Sequence, residues 1–456
     1  MGLSEKDLLE KEKKYCSWGD TVHYLDPPKF FDRCEGSFLY DKDGNTYLDL
    51  QMWYSAASFG YANPRLGGAL KKQVDKLPQL ACQYLHSEKV ELAEKIAKSM
   101  ELIFGDKGRV HFNVGGSQAI EDSLKLVRNH THKNFVFAFM GGYHGRTLGA
   151  SAITSSYRYR RRYGHFSERA QFVPYPYCFR CPYGKKYPDC GMYCVKQFEK
   201  LFETEYNGVW DSKAKESEYG AFYVEAIQGT GGYVIPPKEY FPYLRKILNR
   251  HKILLVDDEI QMGFHRAGKL WALAQFDTKP DIVVFGKALT NGLNPLSGIW
   301  AREELINPKV FPAGSTHSTF SSNTLGTAVG LELMKMTEEI NYEKIVTQKG
   351  KQFLSRLKAL QKRHKKIIGN VDGMGLALRM EMCKSDGYTP DRELADRIFA
   401  AGMQGNIKTS KGTFGLVLDV GGYYKNVFTI APAFDITEAE MDLAIELLDK
   451  LIRKCR

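Results

Sequence analysis

The sequence lacks long apolar runs, which limits the kinds of protein that it can encode. No segment approaches the roughly 18 apolar residues that a membrane-spanning helix needs. The N-terminal stretch "MGLSEKDLLEKEKKYCSWGD" is charged and has no apolar core of the kind found in secretory signal peptides. We therefore expect a cytoplasmic protein with no signal peptide and no membrane partner.

Cysteine is scarce: 9 residues in 456 are too few for a disulfide scaffold. Four of them nevertheless cluster in "CFRCPYGKKYPDCGMYC", within an insertion at about residues 176–196. Thiolates at such spacings can hold a structural zinc ion tetrahedrally, with no open position left for catalysis. This is one prediction for Cys178, Cys181, Cys190 and Cys194. The alternative is a reduced, cysteine-rich surface insertion without metal.

Charge of one sign is not concentrated in long blocks. The formal net charge is +11, but basic and acidic residues are interleaved along the chain. The densest basic run, "YRYRRRYG", contains Arg158, Arg160, Arg161 and Arg162. A run of this kind is typical of a solvated face. Its functional interpretations are attraction of an anionic substrate or, less commonly, binding of nucleic acid.

The composition, 43% hydrophobic and 26% charged, is that of a globular protein long enough for two or more domains. Alternating apolar residues around Asp43 and Gly44 predict a β-hairpin. Residues 66–78 and 87–101 have helical periodicity. From about residue 110, apolar strands alternate with helical stretches, which predicts an α/β fold with a mostly parallel sheet between helices. The C-terminal third mixes strands and helices as a smaller α+β unit.

Glycine or polar residues follow five consecutive predicted strands. They are residues 115–117, residues 143–145, Glu225, Asp258 and Lys287. In open parallel sheets, ligands bind at the carboxyl ends of the strands. We therefore expect these residues to converge on one site.

The residue types at these strand ends predict a particular chemistry. Gly116 and Ser117 begin a helix, whose exposed N–H groups can bind an anion such as phosphate. Asp258 lies among apolar residues and needs a cation, either a salt-bridge partner or a protonated ring nitrogen. Lys287 follows a buried strand, and a lysine in a dry site is a nucleophile toward carbonyl carbons. Together with an aromatic residue for stacking, this set suits pyridoxal 5'-phosphate (PLP).

At these motifs the chain resembles the class III (ornithine/4-aminobutyrate-type) PLP-dependent aminotransferases of fold type I. The most specific segment is "LLVDDEIQMGFHRAGKLWA", similar to the family's D-E-x-Q-x-G-x-x-R-x-G block, and "FGKALTNGLNPLSG" follows at the family's spacing. Further blocks match in order: "GSQAIEDSLKLVR", "YHGRTLGA", "VEAIQGTGG" and "STFSSN". The resemblance implies a large PLP-binding domain at residues 70–325 and a small C-terminal domain at residues 326–456, which the N-terminal segment 1–69 joins.

The resemblance also implies roles for the site residues. Lys287 would form a Schiff base with PLP and then move the proton of the substrate carbon. Asp258 would pair with the ring nitrogen, and Tyr143 would stack on the ring. The other implied cofactor contacts are Gly116, Ser117, Gln118, His144, Glu225, Ile260, Gln261 and Thr319. Thr319 would reach the phosphate in a partner subunit, which implies a homodimer with shared active sites or a higher oligomer.

Substrate contacts are implied for Trp53, Tyr54, Arg146 and Glu225, although the two aromatic residues can equally belong to the core. Family members that use glutamate carry an arginine for the α-carboxylate, and this chain has Thr429 there. Either Arg146 compensates, or the donor's reacting carbon bears no carboxylate. His144 is interpreted either as a general base or as a structural residue.

Two functions of one scaffold stay open. The first is an aminotransferase that moves an amino group from an amine, ω-amino acid or amino acid to a keto acid in ping-pong half-reactions. The second is a PLP-dependent racemase or epimerase, which returns the proton to the other face of the substrate carbon. A third alternative, of another class, is a non-catalytic zinc protein that binds nucleic acid through the arginine run; the first two have no nucleic-acid partner.

Overall fold

The structure is a computed structural model, and it describes residues 4–19, 25, 28–161, 163, 166 and 169–456. Of the predicted basic run, Arg162 lies outside the described residues. Within these ranges, every helix is too short or too polar to cross a membrane.

Apolar, β-branched and aromatic runs form the strands. The strands are β1 (Phe31–Glu35), β2 (Phe38–Asp41), β3 (Thr46–Asp49), β4 (Gly108–Asn113), β5 (Phe135–Phe139), β6 (Arg169–Val173), β7 (Tyr219–Val224), β8 (Leu254–Asp258), β9 (Ile282–Phe285), β10 (Ser297–Arg302), β11 (Ile368–Met374), β12 (Ala377–Met382), β13 (Ile407–Thr409), β14 (Gly412–Val417), β15 (Asp419–Gly421) and β16 (Val427–Ile430).

The central sheet has the strand order β4-β10-β9-β8-β7-β5-β6 among the described residues. Strands β9, β8, β7, β5 and β6 pair in parallel. Strand β10 is antiparallel to both of its neighbours, β4 and β9. The predicted mostly parallel sheet is confirmed, and its strands β7, β8 and β9 are buried along their whole length.

Two smaller sheets have the orders β1-β2-β3-β14-β13 and β11-β12-β16-β15. The predicted hairpin is β2–β3, an antiparallel pair in which Phe38 lies opposite Leu48. Because β3 also pairs in parallel with β14, residues near the N-terminus share a sheet with the C-terminal part of the chain. The domain boundaries expected at residues 69/70 and 325/326 stay a prediction.

Helices cover the sheets. They are α1 (Glu5–Tyr15), α2 (Met52–Ser55), α3 (Pro64–Lys76), α4 (Ser87–Phe104), α5 (Gly116–Thr131), α6 (Leu148–Ile153), α7 (Tyr157–Arg160), α8 (Tyr193–Glu199), α9 (Tyr240–Arg250), α10 (Thr324–Glu339), α11 (Tyr342–Arg363), α12 (Arg392–Gly402) and α13 (Glu438–Cys455). The two helices predicted from periodicity are α3 and α4. Helix α3 begins earlier than predicted because Asn63 accepts the Leu66 N–H and Pro64 occupies the first helical position.

The two faces of the central sheet are both packed. Along β5, Val136 and Ala138 join the cluster that contains α5, while Phe137 and Phe139 join the cluster that contains α9. This alternation is the period of a strand buried on both sides. The carboxyl ends of these strands are thereby held in fixed positions beneath the site.

The cysteine-rich insertion does not bear out the zinc prediction. Cys178, Cys181, Cys190 and Cys194 do line one small cavity. In the described part of the chain, however, no group of three or more His, Cys, Asp or Glu side chains is placed to hold a metal ion. Burial, with a contribution from the neighbouring thiols, raises the pKa of Cys178 to about 12.

Candidate active site

A cavity of about 340 Å³ lies at the carboxyl ends of β4, β5, β7, β8 and β9. Its walls contain most of the predicted site residues: Trp53, Tyr54, Gly116, Ser117, Tyr143, His144, Glu225, Asp258, Ile260, Gln261 and Lys287. Residues from the ends of five separate strands, together with two from the N-terminal part of the chain, thus converge as expected.

Lys287 lies two residues after the end of β9, at a φ of 41°. Its Nζ donates a hydrogen bond to Gln261 Oε1 at 3.2 Å. Burial lowers the pKa of the Lys287 amine, although the charges of Asp258 and Glu225 act in the opposite direction. A larger fraction of neutral amine makes the side chain a better nucleophile toward an aldehyde.

Asp258 ends β8 and is buried against His144. The Nδ1 of His144 donates to Asp258 Oδ2 at 2.8 Å, and the Ile260 N–H donates to Oδ1 at 3.1 Å. Burial opposes the charged imidazole, but the hydrogen bond to Asp258 and the charge of that carboxylate raise the pKa of His144 overall. The histidine therefore holds the Asp258 side chain in one orientation at the edge of the cavity.

Glu225 follows β7 and is held by main-chain donors. The N–H of Tyr143 donates to Oε1 at 2.9 Å, and the N–H of Gly229 donates to Oε2 at 2.8 Å. Burial raises the pKa of Glu225 to about 7. A carboxyl group that titrates near neutral pH beside the cavity can exchange a proton with a bound substrate.

The N-terminus of α5 forms a candidate anion site. The helix has 16 residues and begins at Gly116. Its positive end and free N–H groups favour an anion. A Cβ at Gly115 would meet no atom within 4 Å, so the helix start faces open cavity, while a Cβ at Gly116 would lie 2.8 Å from Ile260 Cδ1.

Trp53 and Tyr54 lie at the cavity within α2, a left-handed turn. The φ angles of Met52, Trp53, Tyr54 and Ser55 are 44°, 52°, 54° and 67°. Left-handed backbone costs L-residues roughly 1–2 kcal/mol each, so the surroundings must hold it. Asp49 Oδ1 accepts the Met52 N–H at 3.0 Å, and the Ser55 hydroxyl lies 3.1 Å from that of Tyr233. Trp53 remains 55% exposed at the rim.

Three predicted residues do not line the cavity. Gln118 Oε1 accepts the Val114 N–H at 3.5 Å. The Arg146 guanidinium lies 4.7 Å from the centre of the Tyr159 ring, at the periphery of the site. Thr319 is exposed on the loop before α10. The roles of these residues stay predictions.

Tyr233 was not predicted from the sequence, yet it belongs to the hydrogen-bonded network around Gln261 and Lys287. Its hydroxyl accepts from Gln261 Nε2 at 3.0 Å and lies next to Ser55. Gln261 in turn contacts Lys287. The available signal was the aromatic residue directly after the glycine turn "GTGG" that follows Glu225.

These residues fit PLP by their chemistry. An amine for the aldehyde, a histidine-bound carboxylate for the ring nitrogen and a helix N-terminus for the phosphate share one cavity. The close approach of Gly116 and Ile260 also leaves no room for a side chain between the helix start and the strand end.

Comparison with known proteins identifies the family. The sequence model of "Aminotransferase class-III" matches residues 21–452. An alanine/serine racemase from Pyrococcus horikoshii is 32% identical over 99% of this chain and 91% of its own. An ornithine aminotransferase from Saccharomyces cerevisiae is 30% identical over 85% of this chain and 87% of its own. An acetylornithine aminotransferase from Caldanaerobacter subterraneus is 29% identical over 98% of this chain and 100% of its own.

Solved structures match the fold. A Bacillus anthracis aminotransferase superposes with a TM-score of 0.86 at 24% identity, over 99% of this chain and 100% of its own. A taurine:2-oxoglutarate aminotransferase from Bifidobacterium kashiwanohense superposes with a TM-score of 0.87 at 22% identity, over 100% of this chain and 98% of its own. The alternative of a non-catalytic zinc protein is therefore wrong. The chain belongs to the class-III aminotransferase family, as its motifs indicated, and is a PLP-dependent enzyme of that family.

Proposed function

We propose that this aminotransferase takes its amino group from an amine or ω-amino acid, whose reacting carbon carries no carboxylate, and passes it to a keto acid in two half-reactions. The observation that carries the proposal is that Lys287 and Asp258 line one buried cavity from neighbouring strand ends. Thr429, in place of the expected arginine, supports the donor class. Among the described residues that line the cavity, the basic side chains are Lys287 and His144.

When bound, PLP supplies an aldehyde for the substrate amine and a ring that withdraws electrons from the reacting carbon. With PLP bound, Lys287 would hold its aldehyde. When it is free, the Lys287 Nζ would accept the proton of the substrate carbon and return it. Burial lowers the pKa of Lys287 and so raises the fraction of neutral amine, the form that accepts a proton.

The remaining residues bind and orient. Asp258 would pair with the ring nitrogen of PLP, and His144 keeps the Asp258 side chain in place. Tyr143 and Ile260 would hold the ring, and Gln261 would bind its hydroxyl. The N-terminus of α5 would bind the phosphate with Gly116 and Ser117; the Ser117 hydroxyl also accepts the Arg146 N–H at 3.1 Å.

A racemase or epimerase is the second candidate, because one of the relatives is an alanine/serine racemase. It would use the same Lys287 chemistry but invert the substrate carbon. An acceptor test separates the two functions, since an aminotransferase consumes a keto acid in proportion to the donor. A racemase inverts an amino acid with no acceptor present.

A donor panel tests the proposed function. Amines, ω-amino acids and α-amino acids are each supplied with pyruvate or 2-oxoglutarate, and the new amino acid is measured. We expect turnover with amines or ω-amino acids, and none in a Lys287→Ala control. Faster turnover of α-amino acids would overturn the donor class, and inversion without a keto acid would favour the racemase.

A homodimer is also proposed. Leu85 and Phe320 are 76% and 70% exposed, and Tyr84 is exposed beside Leu85. Exposed apolar side chains of this size are typical of an interface. Phe320 adjoins Thr319, which the family resemblance assigns to the partner's site. Light scattering should give twice the mass of the chain; the chain's own mass would contradict the dimer.

The cytoplasm is the proposed compartment. All nine cysteines are free. Unpaired thiols are typical of proteins in reducing compartments.

A further inference from the structure

Asp419 and Thr429 form a side-chain pair in the small sheet β11-β12-β16-β15. The two residues lie directly opposite each other in the antiparallel pair β15–β16. The Thr429 hydroxyl donates to Asp419 Oδ2. Thr429 occupies the position at which the family resemblance leads us to expect an arginine. An acidic side chain supported by a hydroxyl therefore takes the place of a basic one.

This pair adjoins the wall of the active site. Strand β15 ends at Gly421, and the Gly422 N–H donates to the Thr230 carbonyl at 3.0 Å. A Cβ at Gly421 would lie 3.5 Å from the same carbonyl oxygen. The loop that contains Thr230 also holds Glu225, through the Gly229 N–H at 2.8 Å. Strand β15 thus packs on the loop that positions a residue of the cavity.

The charge of Asp419 acts on two groups of the active site. It acts to raise the pKa of Lys287 and of Tyr233, whose hydroxyl bonds to Gln261. Asp419 is only partly exposed. In the described part of the chain, no lysine or arginine nitrogen lies within 4.0 Å of its carboxylate. The charges of Lys425 and Lys287 act on it from farther away. A carboxylate in such surroundings is stabilised when a cation comes next to it.

We propose that Asp419 binds a second, far-end ammonium group of the amino donor, so that diamines are preferred over monoamines. The inference rests on the proposed aminotransferase function and narrows its donor class. Threonine is shorter than arginine and leaves space for the donor chain, while its hydroxyl keeps the carboxylate oriented. A donor with a carboxylate at its far end would be repelled at this position.

The test compares 1,4-diaminobutane with butylamine on the PLP-loaded enzyme, with pyruvate as acceptor. Two quantities are measured for each amine. One is kcat/KM, and the other is the amine concentration needed to change the visible absorption band of the cofactor. We expect the diamine to be preferred by about tenfold or more. In Asp419→Asn, kcat/KM for the diamine should fall about tenfold to a hundredfold, mainly through KM, because a charge-assisted hydrogen bond is lost. Butylamine should stay within about twofold, because it makes no such contact.

Controls separate recognition from folding. Asp372→Asn, on β11, should leave both amines unchanged, and Asp419→Glu should restore part of the diamine preference. Equal use of the two amines by the wild-type enzyme would overturn the inference, as would an equal loss for both in Asp419→Asn. If neither amine changes the cofactor band or reacts, both this inference and the proposed donor class are wrong. Turnover of butylamine without a diamine preference refutes this inference alone.

Discussion

The imidazole of His144 donates from Nδ1 to Oδ2 of Asp258 at 2.8 Å, and both side chains are buried. Both side chains line the cavity, and Asp258 is the residue proposed to pair with the ring nitrogen of the cofactor. We interpret His144 as a positioning residue, in line with the structural alternative drawn from the sequence, because Lys287 is the proposed base.

Replacing His144 by phenylalanine should slow the enzyme without abolishing cofactor binding. Asp258 would lose a charge-assisted hydrogen bond, which corresponds to a fall in kcat of about tenfold to a hundredfold. The pH profile of kcat should also shift, since the titrating imidazole is gone. His144→Asn, which keeps a donor, should recover part of the rate. A wild-type rate and pH profile in the phenylalanine variant would refute the positioning role.

Asp258→Asn should bind PLP but lower kcat by orders of magnitude, because an uncharged amide cannot keep the ring nitrogen protonated. The neighbouring residue gives a matched control. Burial and the charge of Glu259 raise the pKa of Asp257 well above its ordinary range, which favours the neutral form that an amide resembles. Asp257→Asn should therefore keep kcat within about twofold in the same assay. Equal losses in the two variants would contradict the assigned role.

Glu225 should make stability depend on pH. Its pKa is about 7 in the folded protein and has an ordinary value of 4.5, so the unfolded chain loses this proton first as pH rises. The stabilisation is complete below pH about 4.5 and is lost as pH rises to about 7, a change on the order of 3 kcal/mol. In Glu225→Gln this loss should be absent. Urea unfolding of the cofactor-free proteins at acidic and alkaline pH measures this loss of stability. If the unfolding free energies of the wild type and Glu225→Gln changed with pH in parallel, the role assigned to Glu225 would be contradicted.

Gly145→Ala should weaken cofactor binding. Gly145 has a φ of 124°, and a Cβ there would lie 2.3 Å from Ser117 Oγ, which would displace the start of α5. Gly44 has a φ of 83° but nothing within 4 Å of an added Cβ, so Gly44→Ala separates backbone strain from the contact. Titration with PLP should show weaker binding only for Gly145→Ala. Equal affinities would show that Ser117 tolerates the shift.

The central sheet and most of the site were predictable because they depend on local patterns. Apolar runs gave β8 and β9, and Asp258 and Lys287 stand at or just after the ends of those strands. The resemblance then assigned Gln261 a contact with the cofactor ring. Its hydrogen bond to the Lys287 amine is a structural finding.

Features that depend on distant parts of the chain were not predictable in the same way. The left-handed turn Met52–Ser55 is contrary to the preference of its residues and is held by Asp49 and Tyr233. The bond between Thr429 and Asp419 requires the register of β15 and β16, which sequence alone does not specify. The zinc prediction relied on cysteine spacing, which does not specify how the four thiols are arranged in space.

The proposed covalent bond between Lys287 and PLP is tested most directly by borohydride reduction followed by peptide mapping. Reduction fixes the cofactor on the lysine that holds it. The peptide that contains Lys287 should carry the added mass of the pyridoxyl group, and Lys287→Ala should carry none and show no turnover. A label on a different lysine, or a wild-type protein without any label, would contradict the assignment of this site.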